Sequence, residues 1–346
     1  MKKNSTLKCD RSLPNSEGGG RVFFLHLLGG GWVFFFLLSL FVSCRKEVKV
    51  SPEEQARRDS AALHVALMPV QDCLPFYIAQ QTGVYERLGL DVRIHTLQAQ
   101  LDTDTAIAKG HVHAAYSDLA RAIMLQQDTV AVRAVAAFDG ELRLVTMRRG
   151  RIRQLGQLKE KMVAVARHSI TDYWSDRLTD SAAVKRSEIF RPQINDVRIR
   201  TDMLCNGTMD AAFLPEPYAT EAVVRGNKEN FSTRGQQPRL VVLLATTQAL
   251  ADADRRRQLQ LLMQGYEEVV TKASQTTALA DSLPSLLREL CQTPDSLALR
   301  VAQQLPAFKP LASPKGSDAE AALEWLRRRG KVKKGYAIDS LFADYK

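Results

Sequence analysis

The sequence predicts an α/β fold built from two similar lobes, and three observations carry that prediction. Short β-rich runs alternate with segments of helical periodicity from Leu63 onwards, which is typical of a largely parallel sheet. The strand and turn that contain Val65 return around Val163, 98 residues later. A pattern of helix, glycine, Ala-Ala and aromatic residue around Gly110 returns around Gly207, 97 residues later. Two anchors with nearly equal offsets indicate an internal duplication.

The first lobe is predicted over residues 63–147. Its helix "LDTDTAIAKG" is expected to end at Gly110, because glycine readily adopts the left-handed conformation that closes a helix. In chain order, the elements are the strand "LHVALMPV", the helix "PFYIAQQTGVYERLGL", the strand "DVRIHTL", the helix "LDTDTAIAKG", the strand "HVHAAY", the helix "LARAIMLQQ" and the strands "VAVRAVAAF" and "LRLVTM".

The second lobe is predicted over residues 148–247, with the remainder, 248–346, returning to the first lobe. "KMVAVARHS" repeats the first strand and turn, and "MLCNGTMDAAFLPEP" repeats "AIAKGHVHAAYSD". "RLVVLLATT" is predicted as a return strand. Four helices are then expected to pack on the first lobe and the hinge, over Ala253–Ser274, Thr277–Gln292, Thr293–Gln304 and Ser317–Arg329.

Residues 1–43 have the organisation of a secretory signal. A basic region precedes an apolar run from Val22 to Ser43, and Cys44 follows directly. A cysteine in that place resembles the lipobox of bacterial lipoproteins, whose thiol is acylated. The run is also long enough for the alternative, an uncleaved membrane anchor. Residues 44–62 are predicted to be the acylated cysteine and a tether, in an exported, membrane-anchored lipoprotein that faces the periplasm or the cell exterior.

Charge and cysteine content exclude several classes of protein. The formal net charge is +10, but the basic runs are short and no nucleic-acid-binding motif accompanies them, so no nucleic-acid partner is predicted. Beyond the amino-terminal segment, three cysteines remain, Cys73, Cys205 and Cys291. They permit at most one disulfide and leave one thiol free, which is not a disulfide scaffold. A monomer is expected.

Two facing α/β lobes predict a ligand cleft between them, because ligands bind outside the carboxyl ends of parallel strands. Ser169 and Thr171 have an alternative role as helix caps. Phe76, Tyr77 and Trp174 have an alternative place in the core. The candidate ligand-binding residues are Gln71, Asp72, Phe76, Tyr77, Tyr116, Ser117, Asp118, His168, Ser169, Thr171, Asp172, Tyr173, Trp174, Glu216 and Tyr218.

Four motifs together resemble one family. "LPFYIAQQTGVYERLGLDVRI", "QLGQLKEKMVAVARHSITDYW", "NGTMDAAFLPEPYA" and "LEWLRRRGKVKKGYAIDSLF" are similar, in this order, to segments of the solute-binding proteins for nitrate, taurine, alkanesulfonates and thiamine pyrimidine precursors. The resemblance covers the chain from about Leu63 to its end. It implies a type II periplasmic-binding-protein fold and delivery of ligand to an ABC permease and ATPase. No cofactor and no catalysis are predicted, because the sequence has no cysteine cluster, nucleophile elbow, H-E-x-x-H motif or P-loop.

The sequence departs from that family in two places, and the departures affect the predicted ligand. His113 replaces an acidic residue, and "RHSITDYW" lacks the glycine-rich form common in binders of nitrate and sulfonates. Asp72, Asp118, Asp172 and Glu216 favour a small ligand with N–H donors or positive charge, such as an aminopyrimidine, a thiamine precursor or an amine. The alternatives are an anion of the nitrate, taurine or sulfonate type, a sensor that feeds no transporter, and a pyrimidine-synthase-like enzyme on a related fold.

The stretch "GHVHAAYSD" raises the question of a metal site, because His-x-His places two rings on one face of a strand. Its counterpart, "GTMDAAFLPE", has no histidine at the position of His111 and has Asp210 at that of His113. A strand that builds the sheet is therefore predicted, and no metal site. The end of the stretch, Tyr116 to Asp118, is expected to open into the cleft.

Overall fold

The computed structural model describes residues 51–275 and 278–343. The predicted signal, residues 1–43, and Cys44 lie outside the described residues. The described helices are α1 (Pro52–Ala61), α2 (Leu74–Gln81), α3 (Val84–Arg87), α4 (Gln100–Ala108), α5 (Leu119–Gln127), α6 (Ile170–Ser181), α7 (Val197–Cys205), α8 (Tyr218–Val224), α9 (Thr247–Ala251), α10 (Ala253–Gln275), α11 (Ala278–Glu289), α12 (Asp295–Ala302) and α13 (Gly316–Arg328). The described strands are β1 (Leu63–Leu67), β2 (Val92–Thr96), β3 (Ala114–Asp118), β4 (Val132–Ala137), β5 (Leu142–Thr146), β6 (Val163–Ala164), β7 (Ala211–Pro215), β8 (Lys228–Ser232) and β9 (Val241–Thr246).

These strands form two mixed sheets, which agrees with the predicted α/β fold. The predicted largely parallel sheet is wrong, because four of the seven described strand pairs are antiparallel, all of them involving β5 or β9 at the chain crossings. The first sheet has the order β2-β1-β3-β9-β4, in which β1 is parallel to β2 and β3 while β9 is antiparallel to both of its neighbours. The second has the order β6-β7-β5-β8, with β6 parallel to β7 and β5 antiparallel to β7 and β8. The parallel strands of each sheet therefore direct their carboxyl ends to one edge, where a ligand site is expected.

The internal duplication is visible in the register of the two sheets. Val65 of β1 pairs with Ala114 of β3, and Val163 of β6 pairs with Ala211 of β7. The same two spacings found in the sequence, 98 and 97 residues, relate these pairs. The glycine that ends the helix before each strand also has a positive φ, +70° in the first lobe and +83° in the second. The repeated sequence pattern thus encodes a repeated helix–turn–strand unit.

The predicted boundaries of the lobes are wrong at both chain crossings. Strand β5, assigned to the first lobe, lies in the second sheet, and β9, assigned to the second lobe, lies in the first. The chain crosses between sheets at residues 138–141 and again at 233–240. Apolar runs of five or six residues identify a strand but not its sheet, because partners are chosen by tertiary packing. At the first crossing, Gly140 (φ +63°) lies so close to Val241 that a Cβ atom would collide with that side chain.

Part of the predicted tether is helical. Ser51 caps α1 by accepting a hydrogen bond from Glu54 N, and Pro52 begins the helix. None of the side chains of α1 is buried. The guanidinium of Arg255 on α10 donates to the carbonyl oxygens of Ala61 (2.8 Å) and Ala62 (2.6 Å) and so fixes the end of α1. The polar composition of this segment concealed a short surface helix.

The core of the first lobe surrounds β1, β3 and β9, whose residues are almost all buried. Helix α10 packs along α2, and α13 packs against α5, as expected for elements that return to the first lobe. Helix α12 instead contacts α8 of the second lobe. The carboxyl-terminal helices therefore contact both lobes.

The two histidines of "GHVHAAYSD" precede the strand, because β3 begins at Ala114. The ring of His113 accepts a hydrogen bond from His64 N at 2.9 Å through Nδ1. Burial is the largest cause that lowers the pKa of His113 to about 4. The neutral ring of His113 therefore has a structural role, since its hydrogen bond joins the amino-terminal ends of the inner strands β1 and β3.

Candidate functional site

A cavity of about 700 Å³ lies where the two sheets meet. It is bordered by the loop after β1, the end of β7, both crossings, α10 and the segment that follows α12. Its size is within the range of pockets for small molecules. The lining residues are Val70, Gln71, Asp72, Asp139, Glu141, Pro215, Glu216, Arg234, Gly235, Arg239, Tyr266, Pro306, Ala307, Phe308, Lys309, Pro310, Leu311 and Ala312.

A second cavity, of about 40 Å³, shares four of these residues, Val70, Asp72, Glu141 and Pro215. The turn after β6 and residues of α4 and α7 complete its wall. It is lined by Met68, Val70, Asp72, Gln100, Tyr116, Ser117, Asp118, Gly140, Glu141, Leu142, Ala166, Ser169, Ile170, Thr171, Asn195, Arg200, Pro215 and Val241.

Asp72 lies on the wall of both cavities, in the short turn of 3-10 helix that follows β1. Its Oδ2 accepts a hydrogen bond from Tyr116 Oη at 3.1 Å. Among the residues that the structure describes, no lysine, arginine or histidine pairs with it. Desolvation is the main cause that raises its pKa from 3.8 to about 7, and the negative charges of Asp139 and Glu141 add to the shift. A carboxylate with no cationic partner therefore faces the cavity.

The other carboxylates of the large cavity all have arginine partners. Glu141 pairs with Arg234 at 3.0 Å, and Asp139 pairs with Arg239 at 3.4 Å. Glu216 pairs with Arg143 of β5. Burial nevertheless raises the pKa of Glu216.

Asp118, at the end of β3, joins the two lobes. Its Oδ1 accepts from Arg121 N at 2.8 Å and caps α5. Its Oδ2 accepts from Gln100 Nε2 at 2.7 Å and from Ile170 N at 2.9 Å, and Ile170 begins α6 of the second lobe. A second contact between lobes joins Gln71 N to the carbonyl oxygen of Glu216 at 2.8 Å. The side chain of Asp118 is fully buried, and that burial raises its pKa.

The hydroxyl groups of Ser169 and Thr171 form hydrogen bonds within the turn before α6. Ser169 caps the helix by accepting from Thr171 N at 3.2 Å, and its hydroxyl donates to the carbonyl of Ala166 at 2.7 Å. Thr171 Oγ1 accepts from Ala166 N at 2.9 Å. Both side chains line the smaller cavity, yet these bonds are the capping role that the sequence left open as the alternative.

Seven predicted ligand-binding residues line neither cavity, which corrects their expected position. Asp172 is paired elsewhere and five rings pack in the core, whereas Nδ1 of His168 has no hydrogen-bond partner within the described ranges. Asp172 pairs with Arg329 at 2.6 Å, and the half-buried His168 donates its backbone N–H to Asp172 at 2.9 Å. Burial lowers the pKa of His168. The five aromatic residues of this group belong to the buried core: Phe76, Tyr77, Tyr173, Trp174 and Tyr218.

The cavity wall includes residues that the sequence analysis missed. The crossing segments were missed because the lobe boundaries were misplaced. Arg200 of α7 was missed because an isolated arginine in a helix normally faces solvent. Its side chain is 3% exposed, its Nε has no hydrogen-bond partner, and burial lowers its pKa to about 10. The missed residues are Gln100, Asp139, Glu141, Asn195, Arg200, Arg234, Arg239, Tyr266 and the segment 306–312.

Three further findings limit the chemistry of the described chain. Within residues 51–275 and 278–343, no group of three or more histidine, cysteine or acidic side chains converges in a geometry that would hold a metal ion. In the same ranges, no helix is both long and apolar enough to cross a bilayer. Cys73, Cys205 and Cys291 are free thiols. The one disulfide that the sequence permitted is thus not formed.

The loops that follow the parallel strands of both lobes lie in a segment that matches a known family. A family model described as "NMT1/THI5 like" matches from Gln71 to Arg234. Residues 71–234 therefore resemble this family. This match confirms the family resemblance predicted from the four motifs. No curated protein matches the sequence.

Three solved structures are similar to this chain over most of its length. The ligand-binding component of an ABC-type import system from Staphylococcus aureus, with zinc bound, is 13% identical (TM-score 0.66, covering 82% of this chain and 96% of that one). The aliphatic sulphonate binding protein SsuA of Escherichia coli is 13% identical (TM-score 0.66, 83% and 93%). The nitrate-binding protein NrtA of Synechocystis is 11% identical (TM-score 0.65, 80% and 83%). These similarities confirm the predicted periplasmic-binding-protein fold.

Proposed function

We propose that this chain is the solute-binding component of an ABC-type importer, and that it holds a small nitrogenous ligand between its lobes. The family match and the fold support the first part of the proposal. The ligand class is supported by one observation, the Asp72 carboxylate that faces the large cavity without a cationic partner. An aminopyrimidine, a thiamine precursor or an amine would supply N–H donors to it. The partners would be an ABC permease and its ATPase.

The charges around Asp72 favour a cation or an N–H donor there. Arginines already neutralise Glu141, Asp139 and Glu216, so a bound anion would leave Asp72 opposed by another negative charge. A half-buried charge that lacks a partner is costly, and a ligand cation would reduce that cost. The aromatic ring of Tyr266 and the segment 306–312, which is apolar except for the exposed Lys309, provide a wall for the flat or apolar part of such a ligand.

The pH dependence of binding distinguishes the two ligand classes. A cationic ligand binds the ionised form of Asp72, so its affinity is expected to rise between pH 6 and pH 8, by up to about tenfold per pH unit below the pKa. An anion that occupies the same cavity would show the opposite trend. Calorimetric titration with an aminopyrimidine, a primary amine and an alkanesulfonate, repeated across this pH range, measures the trend for each ligand class. Asp72→Asn is expected to abolish the trend, and Asp102→Asn, on the surface of α4, serves as the control.

If only the alkanesulfonate binds, and Asp72→Asn does not change its affinity, the proposal of a nitrogenous ligand is contradicted. Turnover of an added aminopyrimidine, followed by mass spectrometry, would contradict a purely binding role. A bound chromophore that absorbs at visible wavelengths would favour the pyrimidine-synthase-like alternative. Absence of a neighbouring permease gene and ATPase gene would favour the sensor.

A second candidate, binding of a small anion, rests on Arg200. This buried guanidinium lines the smaller cavity with an unpartnered Nε, and its Nη1 donates to the carbonyl of Ile194 at 2.8 Å. Guanidinium groups match planar oxyanions well. Arg200→Gln is expected to remove nitrate binding if this candidate is right and to leave amine binding unchanged if Asp72 selects the ligand.

The proposal extends to export and membrane attachment through Cys44, with a monomeric binding domain. The basic region, the apolar run and Cys44 support export and membrane attachment. Metabolic labelling with a radioactive fatty acid tests it directly, with Cys44→Ser as the variant. Recovery of residues 22–43 in the mature protein would instead support the uncleaved anchor.

A further inference from the structure

A basic cavity lies at the end of the second sheet that is remote from the cleft. Strand β5 runs from Leu142, paired with Pro215 beside the cleft, to Thr146, paired with Ala211 at the opposite end. A cavity of about 310 Å³ opens beside Thr146. It is lined by Thr146, Met147, Arg148, Arg151, Ile152, Arg153 and Lys228.

Four of these seven lining residues are cationic and none is acidic. Their side chains form no ion pair with any carboxylate in the part of the chain that the structure describes. The surrounding segment, residues 148–161, holds six lysines and arginines and one glutamate. Like charges gathered around a concave surface repel one another and concentrate anions there. The large cavity of the cleft, by contrast, is lined by four acidic and three basic residues.

The backbone that carries these cations is fixed in place. Ile152 is 3% exposed and anchors the loop in the core, so the arginines on either side of it face outward. Asn230 of β8 donates to the carbonyl of Ile152 at 3.1 Å and accepts from Thr146 Oγ1 at 2.7 Å. Asn227 accepts from Arg148 N at 3.2 Å. A preformed loop lowers the entropy cost of binding, because only the side-chain ends need to be ordered.

We propose that this cavity is a second ligand site, separate from the cleft, that binds a phosphate group. Guanidinium groups donate paired hydrogen bonds to phosphate oxygens, and an ammonium adds a point charge. The volume accommodates a phosphate with a small attached group. A free phosphate compound and the headgroup of an anionic lipid share this chemistry, and the experiment separates them.

The test uses the double variant Arg151→Gln/Arg153→Gln. Its control is Arg257→Gln/Arg300→Gln, which removes the same charge from exposed positions on α10 and α12. Calorimetry with inorganic pyrophosphate and co-sedimentation with vesicles of phosphatidylcholine containing phosphatidic acid provide two measurements. Wild type and control are expected to bind at least one probe, and the double variant to bind it at least about tenfold more weakly. Lys228→Gln, on the neighbouring strand, is expected to weaken the same binding.

Binding of pyrophosphate identifies a soluble phosphate compound as the ligand class, whereas binding of vesicles alone identifies a lipid headgroup. Failure of the wild type to bind either probe overturns the proposal, as does equal binding by the double variant and its control. The cleft ligand plays no part in these measurements, so either result leaves the proposed import function untouched.

Discussion

Replacing Asp72 by asparagine should stabilise the protein at high pH and leave it nearly unchanged at low pH. Burial and neighbouring carboxylates raise the pKa of Asp72 from 3.8 to about 7 in the folded chain. The folded state therefore binds more protons than the unfolded state between these two pH values, and stability falls as pH rises through that window. Asparagine is similar in shape to the protonated carboxyl and does not ionise.

The magnitude follows from the size of the shift. Three pKa units correspond to an upper limit of about 4 kcal/mol, since each unit is 1.36 kcal/mol. Solvent screening of this partly exposed side chain reduces the expected effect to about 2 kcal/mol. The variant should thus be more stable than wild type by about 2 kcal/mol at pH 8 and by close to zero at pH 4.

Urea unfolding at pH 4, 6 and 8, without ligand, measures the difference. Tyr116→Phe is a second variant, because it removes the hydrogen bond that lowers the pKa of Asp72 while retaining the ring. The pKa of Asp72 should then be higher, so the free energy of unfolding of Tyr116→Phe should go on falling to a higher pH than that of the wild type. A difference between Asp72→Asn and wild type that is the same at all three pH values would refute the argument, because it would show that ionisation of Asp72 plays no part.

Three further variants test packing, a buried ion pair and the contact between lobes. Gly265→Ala on α10 would place a Cβ against a tyrosine ring of α3, so thermal unfolding should show a loss of about 1–3 kcal/mol despite the better helix propensity of alanine. Arg198→Ala leaves the fully buried carboxylate of Glu221 with only its contact to Arg225 at 3.3 Å in the described part of the chain. Urea unfolding should show a free energy of unfolding that is lower by about 3 kcal/mol. Asp118→Ala removes the cap of α5 and the bond to α6, so calorimetry should show weaker cleft binding, whereas His111→Ala should bind as wild type does.

The sequence predicted the elements of the fold better than their partners. The duplicated glycine turns identified both helix–strand units because φ-positive positions leave a local signal. Strand β5 was recognised as a strand but placed in the wrong lobe, since its partners β7 and β8 are distant in sequence. Long-range pairing depends on packing, which a pattern of apolar residues does not encode.

The candidate site was predicted in part, and the reason differs between residues. The loop after a parallel strand is identifiable from sequence, and Asp72, Asp118 and Ser169 do lie on a cavity wall. Tyr173 and Trp174 follow the same turn, but their positions on α6 direct the rings into the core. Aromatic composition alone does not separate a cavity wall from a core, because both favour large apolar rings.

The position of β9 in the middle of the first sheet has a consequence for the order in which the chain folds. Residues 142–232 contain every strand of the second sheet in one uninterrupted stretch, so this sheet can assemble as soon as it is synthesised. Strands β3 and β4 must wait for β9, more than 100 residues later, to fill the space between them. Until then both present unpaired edges, which are prone to association with other chains. The first lobe therefore completes its sheet last, although its strands β1 to β4 are synthesised first. Its exposed strand edges are open to association with other chains only until β9 has been synthesised.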